Sequence, residues 1–487
     1  MNAANDETSW AVLAQWGVEP RMTDFEALMW RGERHPEYSS TGVVMELMSS
    51  VPDWERFRAA HVWGTSMVRR LRQRVVEPVL PLGPPAWVDD TDFDIDRHLR
   101  RVRLPEPAGM RELLELAQDI GAKPLDRSRP LWHGTLVENL EGGRSAYLIQ
   151  IHHCLMDGAA AVQLFGGLHS GRAEPTPNKP VPVATEPDHA TPLTLTTTDL
   201  LRQLRGLPSV PKRGIEALGA AFSDPARSLR YVASLRRVVS AAATADGSPL
   251  QRRQTGRGWR FGMLDCGLAQ LKAAGRTAGG SVNDAYVAAL LGGIRRYHDE
   301  IGIALAEVPM VIPVSVRRPE DPPGGNRFAA AFFAGQAEIR DPVELIVAIR
   351  DRVRAVRAEP ALQVFEMMSP GLSKVPRSML SRIVDSALPH PMLSASNFPG
   401  LAHEVYAAGA RVEGMYVFAP LPGVSMLAAL GTYAGTCCIG INCDAAVFED
   451  TELLWRCMAE GLEEVLEIGR VPPHHCAGKG EVRDGGA

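Results

Sequence analysis

The residues of this 487-residue chain best suited to chemistry stand together as His152-His153-Cys154-Leu155-Met156-Asp157-Gly158. Two imidazoles and a carboxylate within seven positions offer either a proton acceptor that works near neutral pH or ligands for a metal ion. The preceding run Ala146-Tyr147-Leu148-Ile149-Gln150-Ile151 reads as a buried strand that continues into the histidines. Successive side chains of a strand point to opposite faces, so the two histidines are expected to do different jobs. The same alternation argues against one metal held by both, an arrangement that suits histidines one helical turn apart. No metal site is expected here.

After the pair, Asp157-Gly158 leads into Ala159-Ala160-Ala161-Val162-Gln163-Leu164-Phe165, which patterns as a helix. Asp157 is placed to cap that helix, and Gly158 to permit a tight turn. A second role for Asp157 is compatible with the first. Buried and paired with an arginine, it would hold the loop so that His153 presents one ring nitrogen to a substrate.

Two folded units are expected to position these residues, since 487 residues at 45% hydrophobic content can bury two cores. The first, 1–185, carries the motif and mixes strand-like runs such as 42–48 with helical patterns such as 110–120. Residues 186–257 form a linker and basic helical connector, entered through the Pro/Thr-rich stretch 174–198. Between positions 201 and 240 there are eight Lys/Arg against two acids. That composition suits a solvated connector helix, or one that touches an anionic membrane or lipid-droplet surface. The second unit, 258–471, has a helical pattern at 281–298, a buried-strand run at 308–316 and further strands near Met415 and Cys437. Residues 472–487 read as a loose tail, in which His474-His475-Cys476 is a chance cluster.

A net charge of −5 gives no reason to expect a nucleic-acid partner. Cys154, Cys266, Cys437, Cys438, Cys443, Cys457 and Cys476 are odd in number, lack zinc-like spacing and sit mostly in apolar runs. Reduced thiols of a cytoplasmic protein are the simplest account. The N-terminus is acidic and polar, without the build of a secretory signal. The apolar stretch 415–434 is about as long as a membrane span, but Pro420, Pro422 and Gly423 interrupt it. It reads as strand, turn, strand, so no transmembrane segment is expected.

The motif resembles the HHxxxDG superfamily of CoA-dependent acyltransferases, and more narrowly the bacterial wax ester synthase/diacylglycerol acyltransferase family. Upstream, Phe93-Asp94-Ile95-Asp96-Arg97-His98-Leu99, Pro124-Leu125-Asp126-Arg127-Ser128-Arg129-Pro130-Leu131-Trp132 and Leu140-Glu141-Gly142-Gly143-Arg144 are similar to that family's lead-in to its active-site strand. Pro130-Leu131-Trp132 is its PLW motif. Downstream, Gly280-Ser281-Val282-Asn283-Asp284-Ala285-Tyr286-Val287-Ala288 is similar to its ND motif, and Ile312-Pro313-Val314-Ser315-Val316-Arg317 to a buried strand. Gly325-Asn326 and Ser396-Asn397-Phe398-Pro399-Gly400 complete a series that runs in the family's order from about Met22 to Asp444. Ala285-Tyr286 and Phe398 depart from the smaller aliphatic residues customary there.

The resemblance implies an α/β (α+β) fold, with two chloramphenicol-acetyltransferase-like domains as a pseudo-dimer and an active-site tunnel between them. It implies an O-acyltransferase that moves a fatty acyl group from acyl-CoA, a substrate and not a cofactor, to the hydroxyl of a long-chain alcohol or diacylglycerol. No cofactor is expected, and a cytoplasmic protein would meet its lipids at the inner membrane face or at lipid droplets. In this reading His153 is the general base, Asp157 supports it, and the Asn283 amide faces it across the domain boundary to stabilise an oxyanion. His152, Gly158 and Asp284 support the motifs, while Pro130, Leu131, Trp132, Ser396 and Asn397 are candidates to line the substrate path. Plainer readings stand beside these: a packed turn at Pro130-Leu131-Trp132, a helix start capped by Ser281, and an ordinary turn at 396–400. Arg317, Arg318 and the arginines of 201–240 are candidates for the CoA phosphates. Two other functions share the pattern: a condensation-type acyltransferase with a carrier-protein donor, and a non-catalytic lipid-binding or lipid-droplet protein. The joint presence of both histidines, Asp157, Gly158 and Asn283 argues against a pure binder.

Overall fold

A computed structural model of the chain describes residues 3–33, 39–182, 188–206, 248–252, 258–318, 320–359 and 390–470. Most of the basic 201–240 stretch and the 472–487 tail, with its His474-His475-Cys476 cluster, lie outside the described residues.

The first half of the chain gives β1 (Thr41–Met48), β2 (Gln73–Val76), β3 (Ala86–Asp89), β4 (Leu99–Arg103), β5 (Trp132–Leu140) and β6 (Arg144–His152). The second half gives β7 (Trp259–Gly267), β8 (Glu307–Ser315), β9 (Phe328–Gln336), β10 (Leu393–Leu401), β11 (Tyr406–Ala407), β12 (Ala410–Phe418), β13 (Met426–Tyr433) and β14 (Thr436–Asp444). Two mixed six-stranded sheets result, ordered β11-β12-β1-β6-β5-β4 and β7-β14-β13-β10-β8-β9, with β2 and β3 as a separate ribbon. Each large sheet has its own hydrophobic core. The long helix Val282–Glu300, apolar on most of its surface, is the central buried element of the second core.

The strand expected to carry the histidines is β6, held centrally between β1 and β5, and its apolar run follows from burial on both faces. β1 is buried along its whole length. Its one charged residue, Glu46, is met by His169 Nε2 at 3.0 Å, as a buried carboxylate requires.

The apolar stretch 415–434 is indeed strand, turn, strand, but its two strands enter different sheets. β12 crosses to the first sheet and pairs antiparallel with β1, Met45 opposite Tyr416, while β13 stays in the second. Side chains stitch the crossing in place. Tyr416 Oη donates to Asp265 Oδ1 on β7 (2.7 Å), and Phe418 stacks on Phe261 of β7 with centroids 4.3 Å apart. The unit expected at 258–471 thus lends a strand to the sheet that carries the histidines. Among the described residues no helix is long and apolar enough to cross a membrane.

The crossing depends on one close backbone approach. A Cβ on Gly440 of β14 would sit 2.3 Å from the Val417 carbonyl oxygen of β12. Gly440→Ala should therefore lower the unfolding free energy by about 1–3 kcal/mol through overpacking, read as an earlier midpoint in urea denaturation.

Candidate active site

β6 ends at His152, one residue before the sequence pattern suggests, and a single 3-10 turn, His153–Leu155, follows. Met156 then bridges to Gly325, and Asp157 opens the helix Gly158–Leu168. The two histidines part company at this break. His152 Nδ1 accepts the Cys154 backbone N–H (3.0 Å), so its proton sits on Nε2, which lies 3.1 Å from Glu33 Oε2. Burial raises the Glu33 carboxyl, but the contacts with His152, the Ser40 backbone N–H and Arg127 outweigh it and hold the group below its ordinary value. His152 is a fully buried structural imidazole. Burial pushes the Cys154 thiol well up, which removes it as a nucleophile.

His153 is partly exposed, and its ring meets Phe328 edge-on at 5.8 Å. Its Nδ1 lies 2.9 Å from Asn326 Oδ1. The orientation of that amide is settled by its other partners. Asn326 Nδ2 donates to the His153 carbonyl oxygen (2.9 Å) and to Glu26 Oε1 (3.3 Å), neither of which can donate in return. Oδ1 therefore faces the ring, Nδ1 carries the proton, and the lone pair is on Nε2. Burial lowers the His153 pKa, and the nearby Asp157 charge and the Asn326 contact only partly restore it. The imidazole is neutral at pH 7 and able to accept a proton.

Asp157 is both a helix cap and a buried carboxylate paired with an arginine. Its Oδ1 accepts the Ala160 backbone N–H (2.8 Å) as the helix cap, and Oδ2 accepts the Arg327 backbone N–H (2.9 Å). Arg317 Nη2 reaches both oxygens, at 3.4 and 3.3 Å. Arg317 also donates to the carbonyls of Pro322, Gly324 and Gly325. Its place among the candidates for the CoA phosphates is thereby corrected, because the guanidinium edge is committed within the protein. Arg318 is exposed.

Gly158 corrects another expectation. Its backbone is not in the left-handed region, so no tight turn demands glycine. Space does, because a Cβ there would lie 2.9 Å from Cδ1 of Phe398. Phe398 belongs to β10, as do Ser396 and Asn397.

Asn283 lies in the first turn of Val282–Glu300, capped by Ser281 and Asp284 in a reciprocal box. Asp284 is thus a helix-start residue. The Asn283 Oδ1 accepts from Asn397 Nδ2 at 3.4 Å, while its buried Nδ2 has no hydrogen-bond partner among the described residues. The asparagine bonded to the His153 ring is Asn326. Pro130-Leu131-Trp132 braces the strand, since the Leu131 carbonyl accepts the His152 N–H (3.1 Å) and buried Trp132 donates from Nε1 to Leu71 O (2.8 Å).

Glu26, Glu33 and the role of Asn326 are what sequence reasoning missed. A Thr23-x-x-Glu26 capping signal is legible, but it explains only one oxygen, Oε2, which accepts the Thr23 N–H at 2.9 Å. Oε1 accepts from the backbone and side chain of Asn326, 300 residues away.

Arg317→Ala would leave the Asp157 carboxylate buried without its counter-charge. A loss of about 3–5 kcal/mol in unfolding free energy is expected, with Arg317→Lys intermediate, both measured by urea titration.

Comparison with known proteins identifies the family. Residues 22–286 match the wax ester synthase/diacylglycerol acyltransferase catalytic domain, and residues 324–466 match the WS/DGAT C-terminal domain. A putative diacylglycerol O-acyltransferase of Mycobacterium tuberculosis is 36% identical over 477 residues, spanning 94% of this chain and 95% of that protein. A second putative diacylglycerol O-acyltransferase from the same organism is 30% identical over 84% of this chain and 82% of its own. Among solved structures, the wax ester synthase/diacylglycerol acyltransferase of Marinobacter aquaeolei VT8 has the same fold at 19% identity, with a TM-score of 0.63 over 92% of this chain and all of that one. The first condensation domain of the CDA synthetase follows at 14% identity and a TM-score of 0.59, over 94% of this chain and 97% of that one. The resemblance carried by the motif series is borne out, and the chain belongs to the wax ester synthase/diacylglycerol acyltransferase family.

Proposed function

We propose that this protein transfers a fatty acyl group from acyl-CoA to the hydroxyl of a lipid acceptor, a long-chain alcohol or diacylglycerol, with His153 Nε2 as the general base. The single observation that carries the reading is the 2.9 Å contact of Nδ1 with Asn326 Oδ1, which assigns the ring proton to Nδ1 and leaves Nε2 as an acceptor. An alcohol far from ionised at pH 7 needs such a base as its oxygen attacks.

In the proposed sequence, Nε2 takes the hydroxyl proton while the alcohol oxygen attacks the thioester carbonyl. The tetrahedral oxyanion draws a hydrogen bond from Asn283 Nδ2, the buried donor that has no partner among the described residues. Collapse breaks the C–S bond, and the departing thiolate recovers the proton from the imidazolium. No acyl-enzyme is required, so positioning of both substrates carries much of the rate. Phe328, edge-on to His153 and to Phe25, supplies an apolar wall suited to an acyl chain and to the exclusion of water.

His153→Ala should lower CoA thiol release by about 10²–10⁴-fold with acyl-CoA and either acceptor, at unchanged melting temperature. Full activity in that variant would remove the mechanism. For Asn283→Ala, turnover should fall by about 10²–10³-fold with little change in acyl-CoA binding. The same assay, run with an acyl-carrier protein as donor, decides against the condensation-type alternative if only acyl-CoA is consumed.

Lipid acceptors also require a surface to draw them from. The helix Pro192–Gly206 exposes Leu193, Leu200, Leu201 and Leu204 with Arg205 at their edge, a face fit for peripheral contact with an anionic lipid surface. Co-sedimentation with anionic liposomes should weaken in Leu200→Asn/Leu204→Asn; equal binding would dismiss this face.

A further inference from the structure

The hydrogen bonds behind His153 cross from one half of the chain to the other. Glu26, on the helix Asp24–Gly32, is buried, and its Oε1 accepts from both the backbone N–H (3.0 Å) and the Nδ2 (3.3 Å) of Asn326. Asn326, itself buried, lies in the loop between β8 and β9. The same loop is pinned elsewhere on the first half: Gly17 N–H donates to Pro323 O (3.0 Å), Gly324 N–H to Gln163 Oε1 (3.3 Å), and Arg317 and the Arg327 N–H to Asp157. Among the described residues of the first half, no group bonded to the ring assigns the His153 proton. Without Asn326, Nδ1 loses its acceptor and the ring is free to carry its proton on Nε2, where it cannot act as a base.

We infer that Glu26 and Asn326 are a positioning pair that sets the His153 tautomer, so that the base exists only while the β8–β9 loop is docked on the first half. The inference rests on the assignment of His153 as base and adds the device that makes it one. Glu26 acts through the amide, because a carboxylate accepts but cannot donate and so prevents the amide from flipping. Neither residue touches substrate.

The test uses the full chain and the pH dependence of kcat. In Asn326→Leu, which keeps volume but offers no acceptor, kcat should fall on the order of 10²–10⁴-fold while KM for acyl-CoA stays within about twofold. In Asn326→Asp, a carboxylate facing Nδ1 stabilises the imidazolium, so the acid limb of kcat should move up by about one pH unit or more. That variant also sets two carboxylates together and is prone to unfold. Glu26→Gln/Asn326→Asp removes the repulsion between the two carboxylates, though not that between the new carboxylate and the His153 carbonyl oxygen, and it should keep the raised limb at a melting temperature above that of the single variant. The other charged groups around the imidazole, Asp157 with its Arg317 and the neighbouring His152, are unchanged in all three variants.

A wild-type acid limb in the folded double variant, or near-wild-type kcat in Asn326→Leu, would overturn the pair. If His153→Ala is inactive when this happens, the base assignment survives and only the positioning role is lost. If His153→Ala is itself active, the base assignment fails first.

Discussion

The Asp157 carboxylate is the point on which the site depends. It is a buried charge whose two oxygens do separate work. One caps the helix that follows the motif, the other receives a backbone N–H from the far half of the chain, and Arg317 spans both. Such a group is costly to bury unless every lone pair is used. Here the partners that satisfy it also close the molecule, because Arg317 and Arg327 lie in the loop between β8 and β9. The electrostatic need of one side chain thereby holds the two halves in register around the histidine.

From that register follows the division between the histidines. His152 is turned inward by the Cys154 N–H and by Glu33, and its ring has no exposed edge. His153, one residue beyond the strand, leaves the sheet and meets the docked loop. Desolvation keeps it uncharged, which suits a base, while the Asp157 charge close by favours the imidazolium that a proton transfer would form. A ring nearer solvent would remain protonated to a higher pH, and one without the nearby carboxylate would be a weaker acceptor.

The crossing of β12 serves the same end by a different route. β1 has β6 on one side and β12 on the other, so the strand beside the histidine strand is itself held by a segment from the second half. Phe418 on Phe261 and Tyr416 on Asp265 tie that segment back to the second sheet. Loop docking at the site and strand exchange behind it make the two sheets one mechanical unit, the condition under which angstrom-scale placement of two substrates is possible.

Much of this was legible in one dimension. The apolar run before the histidines, the cap at Asp157, the helix opened by Ser281 and the strand near 308–316 all follow from periodicities and caps that act over a few residues, and the chemistry of the motif follows from its residue types. What only the tertiary structure decided acts over hundreds of residues. Arg317 and Asn326 meet the motif because the halves dock, Glu33 meets His152 because a distant segment of the same half folds against it, and nothing in the spacing of the chain announces a pairing between positions 26 and 326. Gly158 is glycine to make room for Phe398, a ring that local sequence cannot place. The candidate base was legible in the sequence; which of its nitrogens keeps the lone pair follows from a hydrogen bond that the ring donates to Asn326, in the other half of the molecule.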